Sequence, residues 1–270
     1  MLLACWLNGV PIQALSVQER GFAYGDGLFS TVLVRNQQPA LIDLHWQRLV
    51  QGCWRLAIST DDLRVWQQNF YRFCQLYPDC TAKIIVTRGE GGRGYLADAA
   101  CRPHCYFYAY ASASHPASHQ QGISTGFLTG RLGINPRLAG LKHLNRLEQV
   151  LLRQELATTP FPEALVCDVN GFVIEGVFSN VFLLRAQKLV TPSLHEAGVA
   201  GVMRQQVLNI AANIGLAVEE RQLLPDAFLA ADELFFCNSV YGIWPVKQIQ
   251  GTIQADNPIT QQLQQQLDYV

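Results

Sequence analysis

Along the chain the apolar positions switch repeatedly between a two-residue period and a helical one. Ala4–Leu7 reads as a short strand and is followed by Asn8-Gly9, a pair suited to a hairpin turn because both residues tolerate positive φ. Ser30–Arg35 is rich in β-branched residues and predicts a strand, Asn36–Pro39 a turn, and Ala40–Ile42 a short strand. Asp43 is placed to cap a helix running to about Ala57. Trp46, Leu49, Val50, Cys53, Trp54 and Ala57 form its apolar stripe, and His45, Arg48, Gly52 and Arg55 line an adjacent face. A second helix is expected over about Asp61–Leu76, starting from Ser59 or Thr60. Strands follow at Thr81–Arg88 and Tyr106–Ala111, with the Gly-rich loop Gly89–Gly94 between them.

The segment Ser112–Gln121 is small and polar with one proline, which suits an interdomain linker. After it, Ile123–Thr129 predicts a strand and Gly133–Gly140 a loop. A helix is then expected from about His143 to Ala157, with Leu144, Leu147, Val150 and Leu151 on its apolar face. A meander follows over Ala164–Val169, Phe172–Glu175, Asn180–Leu184 and Lys188–Thr191, its first turn marked by Asn170-Gly171. Gly198–Gly201 leads into a helix over Val202–Ile214. Strands at Glu233–Cys237 and Ile243–Gln248 and a Gln-rich helix complete the pattern. The expected class is α+β, with mixed sheets and flanking helices in two lobes. A small N-terminal α/β lobe covers 1–111, the linker 112–121, and a larger C-terminal lobe 122–270.

Composition narrows the function classes. The net charge of −1 and the absence of a basic stripe argue against nucleic acid and anionic membranes as partners. No apolar run approaches the ~20 residues of a bilayer span. Met1–Asn8 is apolar but has neither the cationic start nor the cleavage site of a signal peptide. Eight cysteines in a long, core-rich chain without a secretion signal read as reduced thiols, which implies the cytoplasm. Cys101, His104 and Cys105 lack the usual CxxC spacing and a second ligand pair, so no metal is expected.

Several residues could carry chemistry. Lys142, in Ala139-Gly-Leu-Lys-His143, has mostly apolar or neutral neighbours; a lysine that loses solvent there becomes a better nucleophile. The plainer alternative is a snorkelling lysine at a helix start. Glu175 ends an apolar run, where a buried carboxylate needs a cationic partner: an arginine, or a protonated ring nitrogen. Gly201-Val202-Met203 opens a helix, and its free amides suit an anion as well as an ordinary loop-to-helix start. Arg48 could add a charge-assisted contact to a phosphate or lie on a solvated helix face. Arg88-Gly-Glu-Gly-Gly-Arg93-Gly-Tyr95 is not a phosphate-binding loop of the GK[ST] type, but arginine on a flexible turn suits a carboxylate substrate.

In combination these segments resemble the fold-type IV pyridoxal-phosphate (PLP) enzymes, the branched-chain and D-amino-acid aminotransferase class, over almost the full length. The matching stretches are Arg20-Gly-Phe-Ala-Tyr-Gly-Asp-Gly27, His45-Trp-Gln-Arg48-Leu49, Glu175-Gly-Val-Phe-Ser-Asn180-Val-Phe182, Leu189-Val-Thr191 and Val199-Ala-Gly-Val-Met-Arg204. Val177 departs from the pattern, where the class has a smaller or more polar residue. Within the class, Arg131–Gln149 and the Gly-Gly-Arg-Gly-Tyr95 loop are similar to the lyases that split 4-amino-4-deoxychorismate.

The resemblance implies a PLP-dependent lyase of folate biosynthesis, a homodimer, with Lys142 as the catalytic residue that carries the cofactor. It further implies that Glu175 pairs with the pyridine nitrogen and that Arg48 and the amides of Val202 and Met203 hold the phosphate. Ser239 falls where related aminotransferases have a phosphate-binding threonine, and Asn238 is implied as a cofactor or substrate contact. Arg93 and Tyr95 are implied for the substrate; Phe29 and Thr31 are candidates for lining the pocket or, alternatively, for ordinary strand packing. The alternative on the same fold is a D-amino-acid or branched-chain aminotransferase. The other lysines, Lys83, Lys188 and Lys247, lie in no matching motif.

Overall fold

The computed structural model describes residues 1–112, 116–253 and 257–267. The chain divides into two compact units. One holds residues 1–112 together with Lys142–Asn145, and the other holds 116–141 and the remainder of the described chain from Arg146. Residues 113–115, within the stretch expected as a linker, lie outside the described residues. No helix among the described residues is long and apolar enough to cross a membrane.

The first unit contains, in chain order, β1 (Leu2–Leu7), β2 (Val10–Pro11), α1 (Arg20–Tyr24), β3 (Gly27–Arg35), β4 (Gln38–Pro39), α2 (Ile42–Arg55), α3 (Leu63–Leu76), β5 (Cys80–Thr87) and β6 (His104–Tyr110). Its six strands form one antiparallel sheet in the order β2-β1-β6-β5-β3-β4. The Asn8-Gly9 turn has φ of 48° and 88°, the twist that a two-residue hairpin demands. Asn36-Gln37 makes the same turn between β3 and β4, with φ of 48° and 69°. Phe70 and Phe73 of α3 meet Phe107 of β6 with ring centroids 5.3 and 5.8 Å apart. Each such fully buried phenylalanine contributes about 2–3 kcal/mol relative to exposure.

Three expectations need correction here. Asp43 lies in the first turn of α2 and makes no cap; the cap position is Leu41, in the left-handed region at φ 50°. The short strand pairs at Gln38–Pro39 and not at 40–42. Helix α1 has no counterpart in the expected pattern: five residues are too few for a period, and its start is set by the Glu19 carboxylate accepting from the Gly21 amide at 2.9 Å.

The second unit contains α4 (Ser118–Gln121), β7 (Ile123–Thr125), β8 (Phe127–Leu132), α5 (Leu147–Leu156), β9 (Leu165–Asp168), β10 (Val173–Gly176), β11 (Asn180–Arg185), β12 (Lys188–Pro192), α6 (Val202–Asn213), β13 (Val218–Arg221), α7 (Pro225–Leu229), β14 (Glu233–Asn238), β15 (Gly242–Ile249), β16 (Thr252–Ile253) and α8 (Pro258–Gln265). A three-stranded sheet runs β10-β9-β8; a seven-stranded sheet runs β13-β12-β11-β14-β15-β16, with β7 also paired to β15. Phe236, Trp244 and Val246 anchor one core, and Leu128, Leu152, Leu156 and Ile174 another. The Asn170-Gly171 hairpin is present, with Asp168 Oδ1 accepting the amides of Asn170 and Phe172 at 2.9 and 3.0 Å.

The helix expected from His143 begins only at Leu147. The cause is a competing partner: Lys142 O accepts from Phe29 N at 2.9 Å and Leu144 N donates to Gly27 O at 3.0 Å, so His143 bridges Leu28 as an added piece of strand. Groups spent on a strand cannot serve a helical i→i+4 ladder. The expected apolar face of this helix is also turned outward, with Leu147, Val150 and Leu151 at 71%, 50% and 57% exposure while Leu152 and Leu156 are buried.

One buried carboxylate organises the turn between β10 and β11. Glu163 is fully buried and accepts from the amides of Ala164, Val177 and Phe178 at 3.0, 2.9 and 3.3 Å, and from the Ser179 hydroxyl. Ser179 Oγ in turn lies 2.5 Å from the Tyr241 hydroxyl. A Cβ on Gly176 would come within 2.9 Å of the Glu163 carboxyl carbon, so glycine is required where this carboxylate crosses the strand end. Burial pushes Glu163 up to about 7, against the pull of its hydrogen bonds. Its folded value therefore lies above the unfolded one, near ~4.3. The folded state then binds the extra proton between those values, and stability falls as pH rises from about 4.5 through 7. The expected loss is on the order of 3 kcal/mol. Glu163→Gln, with no proton to lose, should flatten this part of the profile; urea midpoints at about pH 5 and pH 8 that shift equally in both proteins would show that Glu163 does not titrate there.

Candidate active site

In the first unit β3 places four of the expected residues, with Phe29, Thr31 and Lys142 on one face and Arg48, through Ser30, on the other. Phe29 and Thr31 alternate with Leu28 and Ser30 along β3, so each pair shares a face. The Lys142 amine lies 4.7 Å from the centre of the Phe29 ring, and its backbone is fixed by the bonds to strand residues Phe29 and Gly27 described above. On the opposite face Ser30 Oγ lies 2.6 Å from His45 Nδ1 of α2, and Arg48, one turn further, donates to the same hydroxyl at 2.6 Å. His45 is fully buried. Burial, followed by the positive charges of Arg48 and Lys142, holds its imidazole well below its usual value, so it is neutral at pH 7. Arg48 and Lys142 are thus both close enough for their charges to act on one ring. The sequence does not mark Ser30 as part of this arrangement; His45 is signalled by its spacing from Arg48 on one helix face and by the matching stretch His45–Leu49, but with no role attached.

Lys83 is a further residue that motif matching passes over. It sits on β5 opposite Thr31, and its amine lies 4.2 Å from the Phe29 ring that Lys142 also approaches. Burial lowers its pKa. The available signal is register: an alternating strand that places a lysine across from a candidate pocket residue.

Arg93 and Tyr95 are presented separately, on the loop after β5, where both are exposed and Tyr95 reaches 92%. Of the two guanidiniums that the loop is expected to offer, Arg88 is committed elsewhere. It pairs with Asp26 at 2.8 and 3.1 Å and donates to the carbonyls of Leu56 and Ala57 at 2.7 and 2.8 Å.

In the second unit Glu175 is 5% exposed at the end of β10. Its Oε2 accepts from Val199 N at 2.9 Å, and a Cβ on Gly198, at φ 85°, would approach that oxygen to 3.3 Å. Val199 pairs with Gly140, whose amide donates to Gly198 O at 2.9 Å and whose carbonyl accepts from Ala200 N at 3.0 Å. Arg146 is held by a bond to Leu141 O at 2.8 Å, and its charge acts on Glu175. Burial lowers the Arg146 pKa, and Glu175 opposes that shift.

Val202 and Met203 are the first two residues of α6 after the Gly201 cap, where helix geometry leaves backbone N–H groups without intrahelical partners. A Cβ on Gly201 would strike Asn180 Oδ1, and the Asn180 amide donates to Val199 O at 2.8 Å, so the approach to this helix is fixed from β11. Asn238 spends its side-chain oxygen on the amides of Val240 and Tyr241 at 2.9 and 3.0 Å, which shapes the turn that presents Ser239.

Comparison with known proteins gives one consistent result. The model for the amino-transferase class IV family matches residues 27–249. The chain is 35% identical over 245 residues to an aminodeoxychorismate lyase of Vibrio harveyi, covering 90% of each. It superposes on the crystal structure of 4-amino-4-deoxychorismate lyase from Pseudomonas aeruginosa with a TM-score of 0.94 and 44% identity, covering 97% of both chains. The branched-chain amino acid aminotransferase of Escherichia coli shares the fold, with a TM-score of 0.83 at 22% identity over 98% of this chain and 93% of that one. This chain belongs to the class IV amino-transferases and has their fold-type IV architecture.

Proposed function

We propose that this protein is a PLP-dependent lyase that converts 4-amino-4-deoxychorismate to 4-aminobenzoate and pyruvate. The observation that carries this reading is the 44% identity over 97% of the chain to a lyase of that name; the resemblance of the lysine segment and of the Gly-Gly-Arg-Gly-Tyr95 loop supports it. The residues suit the cofactor chemically: a buried carboxylate and the open start of α6 in the second unit, and a guanidinium and an amine over an aromatic ring in the first. When bound, PLP supplies an aldehyde for an amine and a ring that accepts electrons.

The protein's own groups do the rest in this reading. The Lys142 amine would hold the cofactor and, as a free base, would remove the proton from the substrate carbon that bears nitrogen. Glu175 keeps a proton on the ring nitrogen, held in place by the Val199 amide. Arg48, restrained by Ser30, and the amides of Val202 and Met203 hold the phosphate, with Ser239 on its turn as a further donor. Arg93 grips a substrate carboxylate, with Tyr95 beside it, and Phe29 and Thr31 line the reacting face. The proton lost from one carbon and the enolpyruvyl group lost from its neighbour leave an aromatic ring, which makes the elimination downhill.

The substrate carries two carboxylates, and Lys83 offers a second cation on the Phe29–Thr31 face. Lys83→Met is expected to raise KM for aminodeoxychorismate about tenfold while leaving PLP uptake unchanged, as for a lost binding contact. Unaltered KM would return Lys83 to strand packing.

A homodimer in the cytoplasm completes the proposal. Support comes from the exposed apolar side chains of Leu2, Leu3, Val10 and Leu15 and from eight free thiols. Sedimentation should give twice the chain's 30.1 kDa; monomer with full activity would refute the dimer.

The deciding experiment measures pyruvate released from aminodeoxychorismate with no keto acid present. A lyase needs no acceptor. Fast turnover of D-alanine or leucine with 2-oxoglutarate, and no pyruvate from aminodeoxychorismate, would establish an aminotransferase instead.

A further inference from the structure

The buried guanidinium of Arg20 makes no contact that the chemistry above requires, yet it is among the most heavily bonded side chains in its unit. It is 2% exposed. Its Nε donates to Asp26 Oδ2 at 3.0 Å, its Nη1 to Gly94 O at 3.0 Å, and its Nη2 to Tyr95 O at 3.0 Å. The guanidinium also stacks over the Tyr24 ring, 4.7 Å from its centre. Tyr24 in turn accepts from Gly94 N at 2.9 Å through its hydroxyl, and its ring meets that of Tyr95 edge-on at 5.8 Å. One side of α1 therefore grips both the donor and the acceptor of Gly94 and the carbonyl of Tyr95.

The other end of the loop is held by the start of α1 and the two residues before it. Arg20 N donates to Gly89 O at 3.0 Å, Gly91 N to Gln18 O at 3.1 Å, and Glu19 bridges Glu90. A Cβ on Gly91 would come within 2.8 Å of Arg20 Cδ, so the loop backbone lies directly against the arginine stem. Asp26 is shared: it also binds Arg88, which precedes the loop. Arg93, the loop cation assigned above to the substrate, is the residue immediately before Gly94. Charge-assisted bonds of this kind are about twice as strong as neutral ones, and bonding two successive carbonyls defines direction as well as distance.

We propose that Arg20, supported by Asp26 and Tyr24, is the positioning element that holds the Gly89–Tyr95 loop and thereby sets the affinity for the substrate carboxylate at Arg93. This rests on the reading of Arg93 given under the proposed function. Arg20 touches neither cofactor nor substrate in this scheme; it acts through the loop backbone. The Arg20-Gly-Phe-Ala-Tyr24-Gly-Asp26 segment thereby supplies the cation, the phenol and the carboxylate of one anchor.

Two variants test it. Arg20→Lys keeps a charge for Asp26 but cannot reach two carbonyls at once. Tyr24→Phe removes only the acceptor for Gly94 N and guards against a folding failure in the first. Both should bind PLP with the visible absorbance of the parent. Arg20→Lys should raise KM about tenfold or more with kcat within about threefold, the signature of a displaced binding group; Tyr24→Phe should do the same to a smaller extent. Trypsin cleavage after Arg93 should accelerate about tenfold in Arg20→Lys, as a released loop becomes the preferred site of nicking, while cleavage after Lys188, on the exposed β11–β12 hairpin, stays constant as the reference. Unchanged cleavage after Arg93 in folded variants, or a fall confined to kcat, would overturn the anchor. The proteolysis needs no substrate, so a parent protein that released no pyruvate would defeat the lyase reading without touching this result; KM would then be compared with the amino donor that the parent does use.

Discussion

Lys142→Ala should lose the visible absorbance of the PLP-bound protein and nearly all turnover, with the circular dichroism spectrum unchanged. Two roles converge on one amine in the proposed chemistry: covalent attachment of the cofactor, and removal of the substrate proton. General-base contributions alone are typically ~10²–10⁴-fold, and loss of the carrier adds to that. The fold should survive because the segment is fixed through its backbone, by Lys142 O and Leu144 N on β3, and not through the lysine side chain. The choice of control matters. Lys83 shares the Phe29 ring with Lys142 and is no bystander, whereas Lys247 is exposed on β15 and serves as a neutral comparison. The measurement is a spectrum and a pyruvate assay on Lys142→Ala beside Lys247→Ala. If Lys142→Ala still fixed PLP on borohydride reduction and kept it through dialysis, the carrier would be another lysine, with Lys83 first in line.

Glu175→Gln should retain PLP and lose most of its turnover, by about two orders of magnitude or more. A buried carboxylate beside a ring nitrogen stabilises the proton there; a neutral amide does not, and the electron-accepting capacity that the elimination draws on falls with it. The substitution keeps shape, and one oxygen can still accept from Val199 N, so the turn through Gly198 to Gly140 should hold. Removing the charge also leaves Arg146 with one fewer anion nearby, and a modest loss of stability is expected beside the loss of rate. Turnover equal to that of the parent, with cofactor bound, would reduce Glu175 to a structural partner of Arg146.

Much of the fold is legible in the sequence because its signals are local. Asn8-Gly9 and Asn170-Gly171 announce their hairpins through residues that tolerate the required backbone; β1, β9 and β10 fall within a residue or two of expectation, while the two-residue β2 is not among the expected strands. What stays hidden depends on partners distant in sequence. Nothing between His143 and Arg146 forbids a helix; Gly27 and Phe29, more than a hundred residues earlier, take the backbone groups a helix would need. The hairpin at Ala186-Gln187 has φ of 48° and 62° without a glycine or asparagine to signal it. Strand β13 pairs in parallel with β12 through a helical crossover, and its sequence, Val-Glu-Glu-Arg221, is too polar to read as a strand. At the candidate site, motif matches point to residues by type, but Ser30 and Lys83, and the partner of His45, emerge only from register and packing. The apolar stripe of α5 misleads for a related reason: periodicity reports that a face is apolar, not which neighbour will cover it.

The excursion of Lys142–Asn145 into the first unit has a consequence for how the protein is made. During synthesis β3 leaves the ribosome long before the segment that completes its end. With chain growth of about 5–20 residues per second, the Gly27 carbonyl and the Phe29 amide wait roughly 6 to 23 seconds for Leu144 and Lys142. Through that interval the nascent first unit presents an unpaired strand end to its surroundings, open to any extended peptide that arrives first. The same strand end that later seats the lysine is, for those seconds, the place where a chaperone has most to protect.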